Sequence, residues 1–189
     1  ALEILAGIPS VVLGYFALSW IAPEIVGKLR EGATGPSLAA AGLGVGILTI
    51  PLVASVSEDA MRSVPHALRE ASAGLGARKI TTTLRVVLPA AVSGLVAAAI
   101  IAVSRAIGET MVVFMAGGGT GGALFTLDPF DRGTTMTAAI ASQASGTDQV
   151  VGEALTFQSL FFVAAVLFLI TLGLNMIAGR VVRSVRQSY

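Results

Sequence analysis

LAAAGLGVGILTIPLVASVS, from Leu38 to Ser57, runs for 20 residues without a charged side chain. A helix rises about 1.5 Å per residue, so such a stretch reaches about 30 Å, the thickness of a bilayer's hydrocarbon core. Three further stretches share this character: Ile4 to Pro23, Val86 to Ser104, and Ala154 to Gly179. Taken to their apolar limits they predict spans at about 4–26, 37–57, 86–116 and 154–179. Composition agrees, with 54% hydrophobic and 12% charged residues where soluble domains carry about 45–50% and about 25%. The chain has too little polar surface to wrap four such helices in water. The expected fold is an all-α membrane protein, a helical bundle.

Several function classes fall away at once. Net charge is +1, which leaves no electrostatic footprint for nucleic acid. There is no cysteine, hence no disulfide, thiolate nucleophile or thiolate metal site. His66 is the single histidine, so no histidine pair can hold a metal or run acid–base chemistry. Asp128, Asp131 and Asp148 are too scattered for a metal site, and no cofactor is expected. The chain begins at Ala1 without an initiator methionine or a signal-peptide pattern, so it is expected to be a fragment of a longer chain.

Charge placement orients the spans. Arg62, Arg69, Arg78, Lys79 and Arg85 lie between spans two and three, and Arg180, Arg183 and Arg186 follow span four. With alternating spans, these eight face one side, against Lys28, Arg30 and Arg132 on the other. The positive-inside bias places residues 58–89 and the C-terminus in the cytoplasm. Between spans three and four lie Gly117, Gly118, Gly119, Gly121 and Gly122, then Asp128-Pro129-Phe130-Asp131-Arg132. The glycines allow either a flexible loop or a nest of N–H groups for an anion. The weakly apolar run 134–145 is too short to span, and it reads either as a re-entrant or interfacial helix or as an external loop.

The cytoplasmic segment has a pattern of its own. Val64, Leu68, Ala71 and Leu75 recur at helical spacing, which predicts one apolar face. Ser63 and Pro65 stand where a helix begins, with Arg62, Arg69 and Glu70 on or near its polar side. Gly74 and Gly76 interrupt it, and a second piece from Lys79 leads through Leu88-Pro89 into span three. The outcome is a knob at the membrane surface, suited to docking in a groove of a soluble partner.

The run Glu70-Ala71-Ser72, three residues, Gly76, nine residues, Val86-x-Leu88-Pro89 resembles the EAA loop of ABC importer permeases of the type I class. That family's pattern is Glu-Ala-Ala, three residues, Gly, nine residues, Ile-x-Leu-Pro. Ser72 and Val86 are the two departures. The resemblance implies that residues 58–89 form a coupling helix seated on ABC ATPase subunits, with Glu70, Ala71, Ser72, Gly76, Leu88 and Pro89 as its motif positions. ATP would be hydrolysed by the partner, because this chain has no G-x-x-x-x-G-K-[ST] loop, and the chain would not itself be an enzyme.

Glu3 to Tyr15, Ser104-Arg105-Ala106-Ile107-Gly108-Glu109-Thr110-Met111 and Thr134-Thr135-Met136-Thr137 resemble phosphate-transporter permeases, more the PstC-type half than its PstA-type partner. This implies inward phosphate transport across the cell inner membrane. The implied partners are a PstA-like second permease subunit, a periplasmic or lipid-anchored phosphate-binding protein, and membrane lipid. Sulfate or molybdate import and a passive channel are the alternatives. Within span three, Arg105 and Glu109 are four residues apart and would share a helix face. A lone charge at mid-membrane costs about 2.5–3.5 kcal/mol on insertion scales. The pair reads as an anion path, with Glu109 orienting Arg105, as a buried pair that locks packing, or as an outer-edge arginine that snorkels. Counted along an unbroken helix from Leu88, Arg105 lies about 26 Å in. Pro9 and Pro51 are candidate kinks, and Gly42-x-Gly44-x-Gly46 a candidate close-packing stripe.

Overall fold

The computed structural model describes residues 7–30, 35–119, 127–145 and 154–185. Glu3, the start of the first expected span, Gly121, Gly122, Asp148 and Arg186 lie outside the described residues. The described elements are all helices.

Helix α1 (Ser10–Leu29) begins directly behind Pro9, whose missing N–H is no loss where the first helical donors have no partner. Its middle, Ala17–Val26, widens into π-helical turns around Pro23. Proline lacks an N–H and presses on the carbonyl four residues back. A wider turn relieves that pressure, so the helix continues. Helix α2 (Leu38–Arg62) carries Pro51 inside it and runs past the apolar stretch, so Glu58, Asp59 and Arg62 occupy its last turns. Arg62 bonds Glu58 one turn back at 2.5 Å. Ser63 closes α2 and donates to the Ala60 carbonyl at 2.8 Å. It does not cap the next helix, because Pro65 occupies that place.

Helix α3 (His66–Gly74) is followed by α4 (Lys79–Ala90), which is π-helical over Thr83–Val87 just before Pro89. Helix α5 (Val92–Ile107) is bent 69° from α4. Gly108–Thr110 then break the chain before α6 (Met111–Ala116). The single span expected at 86–116 is thus three pieces. Apolarity measures transfer into lipid, whereas continuity depends on local propensity, and Gly108 is a poor helix residue. The run 134–145 forms α7 (Met136–Ser145), packed on α6 and on α8 (Ala154–Val185).

The core is built from small and β-branched side chains: Ala17, Ile21 and Val26 of α1, Ala40, Ala41 and Val45 of α2, Val112 and Val113 of α6, and Ala138 of α7. A Cβ on Gly44 would lie 2.8 Å from Val112 Cγ1, while Gly42 and Gly46 face open space. Only the middle glycine of the stripe is a packing contact. Lipid tails are as apolar as leucine, so close backbone approach carries much of such association. Helix α8 has no buried residue over Gln158–Ile177. Its polar tie to α5 is Ser104 Oγ donating to Asn175 Oδ1 at 2.9 Å.

The start of α2 is sealed by the chain itself. The N–H groups of Ser37, Leu38 and Ala39 donate to the carbonyls of Ala116, Asp131 and Pro129 at 2.8, 3.0 and 2.6 Å, and Ala40 N–H donates to Ser37 Oγ at 3.2 Å. Gly117 and Gly119 donate to the Val113 and Phe114 carbonyls, and Gly118, at φ +95°, turns the chain out of α6. The nest reading therefore fails for Gly117 and Gly119, whose donors are engaged within the helix end.

Candidate functional site: the α3 knob and the break in span three

The knob follows from its backbone. At the end of α3, Ala77 N–H donates to the Ser72 carbonyl at 3.1 Å and Gly76 N–H to the Ala73 carbonyl at 2.9 Å. With Gly76 at φ +78°, these two bonds make a Schellman stop, in which a left-handed residue closes the helix and reverses the chain. Glycine adopts that conformation without the Cβ penalty.

The apolar face predicted over Val64, Leu68, Ala71 and Leu75 is divided. Val64 is buried and Leu68 packs with it on Val87 and Ala91, which anchors the knob. Leu75, outside α3, is 90% exposed, and Ile80 is 73% exposed. Glu70 and Ala71 are exposed and Ser72 is half-buried. Leu88 and Pro89 lie in the last turn of α4. Glu70 makes no ion pair among the described residues. The molecule thus presents a charged, partly apolar knob with its own attachment points.

Two of those attachments have no signal in the sequence pattern. Arg69, expected near the polar side, turns inward and donates from Nη2 to the Met61 carbonyl at 2.7 Å. That carbonyl belongs to the last turn of α2, where acceptors lack helical partners. Ser72 Oγ and Thr82 Oγ1 share a hydrogen bond of 2.9 Å across the turn.

The structure does not bring Arg105 and Glu109 together. Arg105 is in the last turn of α5 and exposed, whereas Glu109 lies beyond the helix end and is 9% exposed. No ion pair joins them among the described residues. The i, i+4 argument needs an unbroken helix, and α5 stops at Ile107. Glu109 instead braces the break. Its Oε1 accepts from Val112 N–H at a long 3.5 Å, and its carbonyl accepts from Thr137 Oγ1 at 2.9 Å. The 69° bend also shortens the path to Arg105, which is about 20 Å from Val92 along α5.

At the opposite end of α2, Arg30 pairs with Asp128 and lies 5.4 Å over the Phe130 ring. Hydrogen bonding from Arg30, then from Phe130 N–H, holds the Asp128 carboxyl below the usual aspartate range. The same bond raises the Arg30 guanidinium. No group of three metal-ligating side chains occurs among the described residues.

These features define a multi-span helical membrane protein with an exposed knob between two spans. The chain belongs to the family of binding-protein-dependent transport system inner membrane components, whose pattern it matches over residues 1–187. It is 35% identical over 180 residues to the "Probable ABC transporter permease protein YqgH" of Bacillus subtilis, covering 95% of this chain and 57% of that one. It is 34% identical over 207 residues to "Phosphate transport system permease protein PstC 1" of Mycobacterium tuberculosis, covering 99% and 60%. The chain thus spans less than two thirds of the length of these relatives. Its fold is similar to a chain of the MetNI methionine ABC transporter in an inward-facing conformation, with TM-score 0.72 and 24% identity, covering 98% of this chain and 73% of that one.

Proposed function

We propose that this chain is the permease subunit of an ATP-driven importer of inorganic phosphate. It lines the path and passes closure of partner ATPase subunits to the spans. The observation that carries the reading is the knob. Residues at the spacing of the EAA pattern fold into an exposed helix with a left-handed glycine stop, on a chain 34% identical to a phosphate permease. Glu70, Ala71, Ser72 and Gly76 form the ATPase-facing part, and Leu88 and Pro89 join it to the membrane. The partners are two ABC ATPase subunits, a PstA-like permease subunit and a phosphate-binding protein outside the inner membrane, with the C-terminus of this chain in the cytoplasm.

Arg105 is the anion contact within the path. It is a cation on a spanning helix with no carboxylate partner among the described residues, so its donors are open to an oxyanion. Glu109 shapes the path from behind, by holding the break next to it. The test is Arg105→Gln in the complete transporter. A hydrogen bond to a charged group is worth about 1.5–3 kcal/mol, so phosphate uptake falls about ten-fold or more while ATPase binding persists. Normal uptake in that variant removes Arg105 from the path.

A further inference from the structure

The knob is weakly held by packing. No residue of α3 is fully buried, and only Leu68 reaches the small cluster of Val64, Val87 and Ala91. Two short non-helical segments flank it, Ser63-Val64-Pro65 before α3 and Leu75–Arg78 after it. A push on such a knob would be absorbed at these joints unless something stiffens them. Each joint is bridged by one side-chain hydrogen bond. Arg69 Nη2 to the Met61 carbonyl, 2.7 Å, spans the first. The Ser72–Thr82 hydroxyl pair, 2.9 Å, spans the second. Ser72 is also the position where the chain departs from the third alanine of the EAA pattern, and an alanine there could not make this bond.

We propose that Arg69, Ser72 and Thr82 are positioning residues that brace the coupling knob to both spans, with Ser72 and Thr82 acting as an interdependent pair. Arg69 transmits displacement of the knob to α2, and the hydroxyl pair transmits it to α4 and so to α5. The proposal rests on the coupling reading above and gives Ser72 of the motif a bracing role, together with Arg69 and Thr82 outside it.

The test uses the complete transporter in vesicles and reads ATP hydrolysed per anion imported. Ser72→Ala and Thr82→Val each raise that ratio about five-fold, the size of one net hydrogen bond. The double variant is no worse than either single, because one change already breaks the bond. Ser72→Thr keeps a hydroxyl and restores the ratio. Arg69→Met, similar in length but without donors, raises it separately. An unchanged ratio in both single variants, or additive losses in the double, overturns the proposal.

A second readout does not depend on the transported ion. These 189 residues contain no cysteine, so, with any cysteine elsewhere in the complex replaced, spin labels at Asp59→Cys and Ala73→Cys report the distance between α2 and α3. Ser72→Ala and Arg69→Met broaden the distance distribution, and an unchanged distribution overturns the brace. If the unsubstituted complex fails to import phosphate, the phosphate reading falls, and this distribution still decides the brace.

Discussion

Gly76 offers a clean perturbation of the knob. A Cβ placed there meets nothing within 4 Å, so substitution brings no clash, and its effect is confined to the backbone. The residue sits at φ +78°, where an L-residue with a side chain is disfavoured by about 1–2 kcal/mol. Gly76→Ala should therefore reduce the population of closed turns by a factor of about 5–30 relative to the open alternative. Opening the turn also releases the two bonds from Ala77 and Gly76 that end α3. Asparagine tolerates the left-handed region and valine resists it most. The expected order of ATP-driven uptake is Gly76 close to Gly76→Asn, then Gly76→Ala, then Gly76→Val, which loses uptake while the chain stays in the membrane. The assay is uptake in vesicles normalised to bound ATPase. Full activity in Gly76→Ala, or a loss in Gly76→Asn as deep as in Gly76→Val, would refute the turn argument.

Glu70→Lys reverses an exposed charge on the proposed docking face and should abolish uptake with membrane insertion intact. Co-purification of normal amounts of ATPase together with normal uptake would remove Glu70 from the interface. A Cβ on Gly94 would come within 2.4 Å of Ala60 Cβ where α5 crosses α2. Gly94→Ala should destabilise by about 1–3 kcal/mol, read as a lower thermal midpoint in detergent, whereas Gly42→Ala, facing open space, should not. The Asp128 carboxyl is held below its ordinary range by Arg30, so its contribution is present above the ordinary aspartate value and fades only as pH falls through the lowered one. The stability difference between Asp128→Asn and the unsubstituted chain should be nearly constant from about pH 5 to 8, a window that begins about one unit above the ordinary value. A difference that titrates within that window contradicts the Arg30–Asp128 pairing.

Much of the architecture was legible because transfer into lipid is written in charge-free runs. Leu38–Ser57 became the body of α2, and Ala154–Gly179 lies within α8. The glycine stop was legible too, since Gly74 and Gly76 punctuate a short periodic helix. What was hidden depends on continuity and on folding back. Val86–Ala116 reads as one apolar run, yet it bends near Ala91 and breaks at Gly108–Thr110, so Arg105 and Glu109 do not meet. The bonds of Arg69 to Met61 and of Ser72 to Thr82 exist because the turns at Ser63–Pro65 and Gly76 bring distant groups together. Side-chain spacing along one helix carries no trace of either. The sealing of α2 by the carbonyls of Pro129 and Asp131 is hidden for the same reason.

The most direct measurement is radiolabelled anion uptake into vesicles that hold the full-length chain with the proposed ATPase, second permease and binding protein. The expected result is phosphate accumulation that requires ATP and the binding protein and is not matched by sulfate or molybdate. Equal or greater uptake of sulfate or molybdate would contradict the phosphate assignment, and phosphate movement without ATP would contradict the coupled-permease reading itself.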